Sequence, residues 1–188
     1  MTARIPGAND YLGGIDTLVN DAAAFVFGTI EQVTEKDWER ALNVNVLGSV
    51  YTVRESLPYL RLSENSSIVN IASVSSFIAQ PAFLPYNTSK GALLQLTRCL
   101  AMDLAPEGIR VNCVCPGSIY TPATERHIAF EGIDREAFLE QAAQGSFLKR
   151  VGKPEDVCPV VEFLLSSDSD FISGQIIRVD GGLFTHSV

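Results

Sequence analysis

Four short apolar runs recur along the chain: Asp16-Thr17-Leu18-Val19-Asn20, Ser67-Ile68-Val69-Asn70-Ile71-Ala72, Ile109-Arg110-Val111-Asn112-Cys113-Val114 and Gln175-Ile176-Ile177-Arg178-Val179. They are brief and rich in Ile and Val, the pattern of strands covered on both faces. Helical signals fill the gaps. Thr34-Glu35-Lys36-Asp37 resembles a capping box with Asp in place of Glu and predicts a helix from there to about Leu60. Trp38, Ala41, Leu42 and Leu47 are expected on its packed side, with Asp37, Glu39 and Arg40 in solvent. A second helix starts near Pro85, where Leu93, Leu96, Leu100 and Leu104 make one apolar face, and Pro106 and Gly108 stop it. A third starts near Pro154, a good first-turn residue, and Pro159 is expected to kink or delay it. The stretch 117–150 is mixed in character and predicts one or two short helices forming a lid or binding loop. Strand–helix alternation of this kind predicts α/β architecture, a parallel sheet with helices on both faces, in one domain over residues 1–188.

Composition narrows the function. Of 188 residues, 46% are hydrophobic and 19% charged, which excludes a disordered chain. The net charge of -8 disfavours nucleic acid and anionic membrane, which need a basic face. The cysteines Cys99, Cys113, Cys115 and Cys158 form no CxxC pair, and the histidines are His127 and His186. This predicts neither a zinc site nor a disulfide framework, but buried free thiols in a reducing compartment. The opening residues Met1 to Gly7 lack a signal-type apolar run, and no run reaches about 18 apolar residues, so a soluble cytoplasmic protein is expected.

Candidate chemistry gathers at the strand ends. Tyr86 and Lys90, four apart on a predicted helix, share a face. A nearby ammonium favours the phenolate, so the pair is a sensible general acid/base. Ser73 directly follows the second strand, where ligands bind in open α/β sheets. Asn20-Asp21-Ala22-Ala23 and Asn112-Cys113-Val114-Cys115-Pro116-Gly117 put polar or small residues at two more strand ends. A serine hydrolase is excluded, because Ser73 lies in no G-x-S-x-G elbow and neither histidine fits a triad order.

These stretches, together with Asn43-Val44-Asn45, Tyr86-Asn87-Thr88-Ser89-Lys90, Ser173-Gly174-Gln175 and Val179-Asp180-Gly181-Gly182, resemble the short-chain dehydrogenase/reductase (SDR) family of the classical type. The order matches too, with spacings of 28, 13 and 4 residues along Asn45, Ser73, Tyr86 and Lys90. The resemblance runs from about Gly14 to Phe184 and implies a partial Rossmann-like, doubly wound parallel sheet. It implies hydride transfer between NAD or NADP and a carbonyl or alcohol. Tyr86 would exchange the proton. Lys90 would bind the nicotinamide ribose and lower the pKa of Tyr86. Ser73 would polarise the carbonyl, and Asn45 would hold a water linking Lys90 to solvent. Asn20, Ala22, Pro116, Gly117, Ile119 and Thr121 would join Tyr86 and Lys90 against the cofactor, Asn20 also bracing the strand ends. Family members form dimers and tetramers, which implies a homo-oligomer built through the helices near 34–60 and 85–104 and the C-terminal segment.

The sequence departs from the family in its opening residues. Gly7, Gly13 and Gly14 form no G-x-x-x-G-x-G turn, and no strand precedes them. The expectation is an N-terminally truncated domain, with 1–15 unmatched, lacking the phosphate-binding turn and the residue that selects NAD or NADP. Leu18 and Val19 would then lie on an open apolar edge. Asp21 and Ala23 replace the second Asn and the Gly of N-N-A-G, and Asp21 adds negative charge near the cofactor. The alternative function is a catalytically inactive, oligomerising or interacting subunit. Phe77, Phe83, Phe130, Phe138 and Phe147 suggest an apolar substrate pocket.

Overall fold

The computed structural model describes residues 4–183, so His186 and the segments 1–3 and 184–188 lie outside the described residues. All four anticipated strands form: β1 (Thr17–Asn20), β2 (Ser67–Ile71), β3 (Arg110–Pro116) and β4 (Ile176–Val179). They pair in parallel in the order β1-β2-β3-β4. β2 and β3 are buried almost throughout, as their unbroken apolar runs require. β1 is an edge, with Val19 41% exposed.

Helices cover both faces, which makes the sheet doubly wound. The helix after Thr34 is capped as anticipated: Thr34 N–H donates to Asp37 Oδ2 at 2.9 Å, and Asp37 N–H to Thr34 Oγ1 at 3.4 Å. It runs as α2 (Glu35–Leu42), a π-helical turn over Asn43–Leu47, and α3 (Gly48–Leu60). Ala41 is buried and Trp38 half-buried, but Leu42 and Leu47 are each 37% exposed, contrary to expectation. The packed line is instead Ala41, Asn45, Ser49, Val53, Ser56 and Leu60, at spacings of three and four. Small and polar side chains on that line let the helix approach closely and leave the two leucines outside.

The apolar seam of α4 (Leu84–Leu104) holds: Leu93 and Leu104 are buried, Leu96 and Leu100 half-buried. Gly108, at φ +72, ends the following turn. The mixed stretch carries α5 (Pro122–Glu131) and α6 (Arg135–Gly145). α7 (Pro154–Leu165) runs continuously through Pro159, neither delayed nor broken there. The carbonyl Pro159 cannot bond belongs to Glu155, exposed in the first turn where water can serve it. One helix the sequence pattern did not announce, α1 (Arg4–Leu12), precedes β1 and rests on α3, with Tyr11 and Leu12 exposed.

The core has two layers. Ile68 and Val111 pack with Val53 and Leu60 of α3 and Ala101 and Leu104 of α4. Val69 and Val114 face the other way, against Val157 and Leu164 of α7. Thus the connection carrying α5 to α7 crosses by the face opposite α3 and α4. Cys113 and Cys115 are buried, but Cys99 is exposed on α4 and Cys158 is exposed on α7, where it faces the cleft described below. Among the described residues, no three His, Cys, Asp or Glu side chains gather as metal ligands. No described helix is long and apolar enough to cross a membrane.

Candidate active site

A cleft of about 1090 Å³ opens at the carboxyl ends of β1, β2 and β3, where an α/β sheet offers backbone and short polar side chains to a ligand. The strand ends and α4 form one wall; α5 and α6 form the other.

The strand-end wall is braced by a chain of buried amides. Asn20 Nδ2 donates to Asn70 Oδ1 at 2.8 Å, and Asn70 Nδ2 to Thr97 Oγ1 at 2.9 Å. Thr52 Oγ1 donates to Asn20 Oδ1, and Thr97 Oγ1 to Leu93 O. β1, β2, α3 and α4 are thereby tied at one level, and the buried amides are satisfied. Asn45 makes a second tie from inside the π-helical turn, a device found often at functional sites. Its Oδ1 accepts from Ala24 N–H at 2.7 Å; its Nδ2 donates to Ala24 O at 3.0 Å and to Ser89 Oγ at 2.8 Å. It joins the 21–33 segment to α4 one residue before Lys90.

Ser73, in extended backbone after β2, accepts from Ser75 N–H at 3.1 Å and caps the short helical turn Val74–Ser76. Tyr86 and Lys90 lie on the cleft side of α4, both buried. Lys90 Nζ donates to Ile71 O at 2.7 Å and sits 5.8 Å from the centroid of the Tyr86 ring. Burial pushes the Tyr86 phenol up to about 12; a hydrogen bond with Ser73 pulls it down, and the charge of Asp21 raises it. Burial lowers the Lys90 ammonium to about 8, against the opposing pull of Cys113, Asp21 and Cys115. The expected lowering of the Tyr86 pKa by Lys90 is therefore not found. Lost hydration of the phenolate outweighs an ammonium that is turned to a backbone carbonyl.

Pro116 at the end of β3, and Gly117, Ile119 and Thr121 beyond it, continue the wall. Gly117 is required by close approach: an added Cβ would lie 2.8 Å from Asp180 Cα and Cβ. Thr121 caps α5, its Oγ1 accepting from Ala123 N–H at 3.2 Å. Ser73, Tyr86, Lys90, Pro116, Gly117, Ile119 and Thr121 thus meet in one cleft. Asn20, Ala22 and Asn45 do not line it; Asn20 and Asn45 brace what does. Gly7 lies within α1 and Gly13 and Gly14 after it.

Aromatic side chains from three places meet across the cleft: the 21–33 segment, the start of α4, and the α5–α6 wall. Phe83 and Phe138 line the cleft as anticipated, but Phe77, Phe130 and Phe147 do not; they are 38%, 49% and 52% exposed, and Phe130 instead stacks on Phe27 at 4.8 Å. Phe25, Phe27 and His127 take their place. His127 stacks on Phe27 at 5.3 Å, meets Phe83 and Phe138 edge-on at 4.7 and 5.1 Å, and has Nε2 2.9 Å from Glu131 Oε1. Composition alone could not place it. For Phe25 and Phe27 a signal exists: in Ala24-Phe25-Val26-Phe27, Ala24 and Val26 are buried against Ala41 while the rings alternate to the cleft.

Known proteins resemble this chain in sequence and fold. Residues 2–184 match the family model described as Enoyl-(Acyl carrier protein) reductase. The mouse Dehydrogenase/reductase SDR family member 4 is 40% identical over 170 residues, 90% of this chain and 59% of that protein. The 3-oxoacyl-[acyl-carrier-protein] reductase FabG of Thermotoga maritima is 38% identical over 91% of this chain and 67% of its own length. The chain therefore spans roughly three-fifths of the mouse relative and two-thirds of the bacterial one. The ligand-free Thermoplasma acidophilum aldohexose dehydrogenase superposes with a TM-score of 0.93 at 36% identity, covering 98% of this chain and 74% of that one. The strand order, the cleft at the strand ends and these matches lead to one assignment: the chain belongs to the short-chain dehydrogenase/reductase family of oxidoreductases.

Proposed function

We propose that this chain carries the reacting end of an NAD(P)-dependent dehydrogenase/reductase acting on an apolar carbonyl or alcohol. The observation that carries the reading is the convergence of Ser73, Tyr86 and Lys90 on one cleft at the strand ends. Tyr86, with its midpoint near 12, holds its proton at neutral pH and is set to donate it to a carbonyl oxygen. The Ser73 hydroxyl supports that oxygen as negative charge develops. The aromatic side chains of the cleft exclude water and suit a hydrocarbon body better than a sugar or an acid.

The nicotinamide-ribose end of the cofactor fits the residues present. The Lys90 ammonium spends one hydrogen on Ile71 O and lines the cleft, suited to ribose hydroxyls. Pro116, Gly117, Ile119 and Thr121 offer a backbone-lined seat for the nicotinamide. The bound cofactor supplies hydride transfer. In this reading Asn20 and Asn45 act by positioning the strand ends, the 21–33 segment and Ser89. Leu42, Leu47 and Tyr51, exposed along the α2–α3 segment, support a homo-oligomeric assembly; sedimentation of purified protein tests it.

Calorimetric titration with NADH and NADPH, then a carbonyl-reduction assay, tests the function. Micromolar binding of either nucleotide, with reduction that Tyr86→Phe abolishes, is the expected result. No binding of either nucleotide, or full activity in Tyr86→Phe, would overturn it.

A further inference from the structure

Phe25 lies outside every strand and helix, yet its backbone is firmly held. Ala24 on one side bonds the Asn45 amide through both N–H and C=O, and Val26 on the other is buried with Ala41. From this anchored stretch the Phe25 ring stacks on Tyr86, centroids 4.7 Å apart and planes inclined by 18°. Phe83 meets the same tyrosine edge-on at 6.1 Å. Arg126, on α5, carries its guanidinium 5.9 Å from the Phe25 ring centroid. The aromatic contact therefore links three parts of the cleft: the 21–33 segment, α4 and α5.

We propose that Phe25 is a positioning residue for Tyr86: its stacked ring fixes the plane of the phenol beside Ser73, keeps water off its face and, through Arg126, couples the seat of α5 to it. The inference rests on the reading of Tyr86 as the proton carrier. A tyrosine ring turns about its Cβ–Cγ bond, and a face-on neighbour opposes that turn by contact and dispersion. Removing the neighbour admits water, which favours the phenolate and brings the phenol back toward its ordinary value. The charged and titratable groups around the pair are Asp21, Lys90, Arg126 and His127, and a change at Phe25 removes or adds no charge among them.

The test is nuclear magnetic resonance of the full chain carrying ring-labelled tyrosine, with the Tyr86 signals identified by their loss in Tyr86→Phe. Phe25→Ala, Phe25→Leu and Phe25→Tyr are compared with the parent. In Phe25→Ala and Phe25→Leu the Tyr86 ring is expected to flip at least about tenfold faster, because the planar neighbour is gone. Tyr86 begins to titrate below pH 11 in Phe25→Ala but not in the parent, whose midpoint lies near 12. Phe25→Tyr restores both behaviours. Carbonyl reduction, where the parent shows it, loses about tenfold in kcat with KM changed less than about twofold. Unchanged flipping in both Ala and Leu variants overturns the proposal; if Phe25→Ala fails to fold, the flip rate in Phe25→Leu decides. Absence of turnover in the parent would count against the proposed function alone, since the ring measurements judge Phe25 without it.

Discussion

The two walls of the cleft are built to different standards. The strand-end wall is held by buried side chains: Asn70 and Asn45 are at most 1% exposed, and their amides are bonded into strands or helices. The helical wall is held by ring contacts of His127 and Phe138 and by surface pairs, with few fully buried side chains. α6 buries no residue fully and α5 buries only Ile128. Arg135 joins Glu125 at 3.0 Å and lies over the Tyr120 ring, and a hydrogen bond from Ser146 Oγ to Gly181 O at 2.9 Å secures the end of α6. Exposed ion pairs of this kind contribute little to stability. Under the proposed function, the groups that must sit within a fraction of an ångström of a reacting atom would lie on the rigid side, while the side that would meet the body of a substrate can yield.

The contrast is broken or sharpened by substitution. The largest effect is expected from Tyr86→Phe, which removes only an oxygen from the rigid wall. Turnover should fall by about 100-fold or more while the thermal midpoint stays put, a pairing checked by initial rates and calorimetric melting of one preparation. Asn70→Ala strikes the bracing itself. It leaves the Asn20 Nδ2 donor without its partner and Thr97 with only its bond to Leu93 O, and urea unfolding should show a loss of about 2–4 kcal/mol.

A pH series isolates the ionisable pair of that wall. The Lys90 ammonium is lowered from 10.5 to about 8, so between those values the unfolded chain binds a proton the folded one does not, and stability rises with pH. The Tyr86 phenol is raised from 10.0 to about 12, so between those values the folded chain keeps a proton the unfolded one loses, and stability falls. Melting temperatures should climb from about pH 8 to about pH 10 and lose that climb above it. Lys90→Met should flatten the rise, and Tyr86→Phe should soften the fall. The smallest effect belongs to the helical wall: Arg135→Ala should leave the urea midpoint unchanged yet speed protease cleavage between residues 119 and 135, read by mass spectrometry of the fragments.

How far the sequence foretold these walls follows from how local each signal is. β2 and β3 were legible because burial on both faces demands unbroken apolar runs. The Thr34 cap and the Gly108 stop were legible because they act within four residues. That Tyr86 and Lys90 share one helix face was legible through their spacing, and that Ser73 opens onto the cleft was legible from its place directly after β2. Leu42 and Leu47 misled because the π-helical turn adds a residue, which no hydrophobic period records, and because the true packing line holds Asn45, Ser49 and Ser56. Phe25 and Phe27 escaped because their alternation spans only four residues in a segment that joins no named strand. The upward shift at Tyr86 escaped because it comes from enclosure by residues distant in sequence.

Gly117 carries one more consequence. Its neighbour there is the main chain of Asp180, more than sixty residues away, at a distance no ordinary side-chain carbon tolerates. Every missense change at codon 117 adds at least that carbon, so the position has no neutral neighbour in sequence space. Alanine, the mildest exchange in most tables, is already a displacement of backbone against backbone. A variant reported at this codon is thus best read as altering the alignment of β3 and β4, and with it the floor of the cleft, whatever the chemistry of the new side chain.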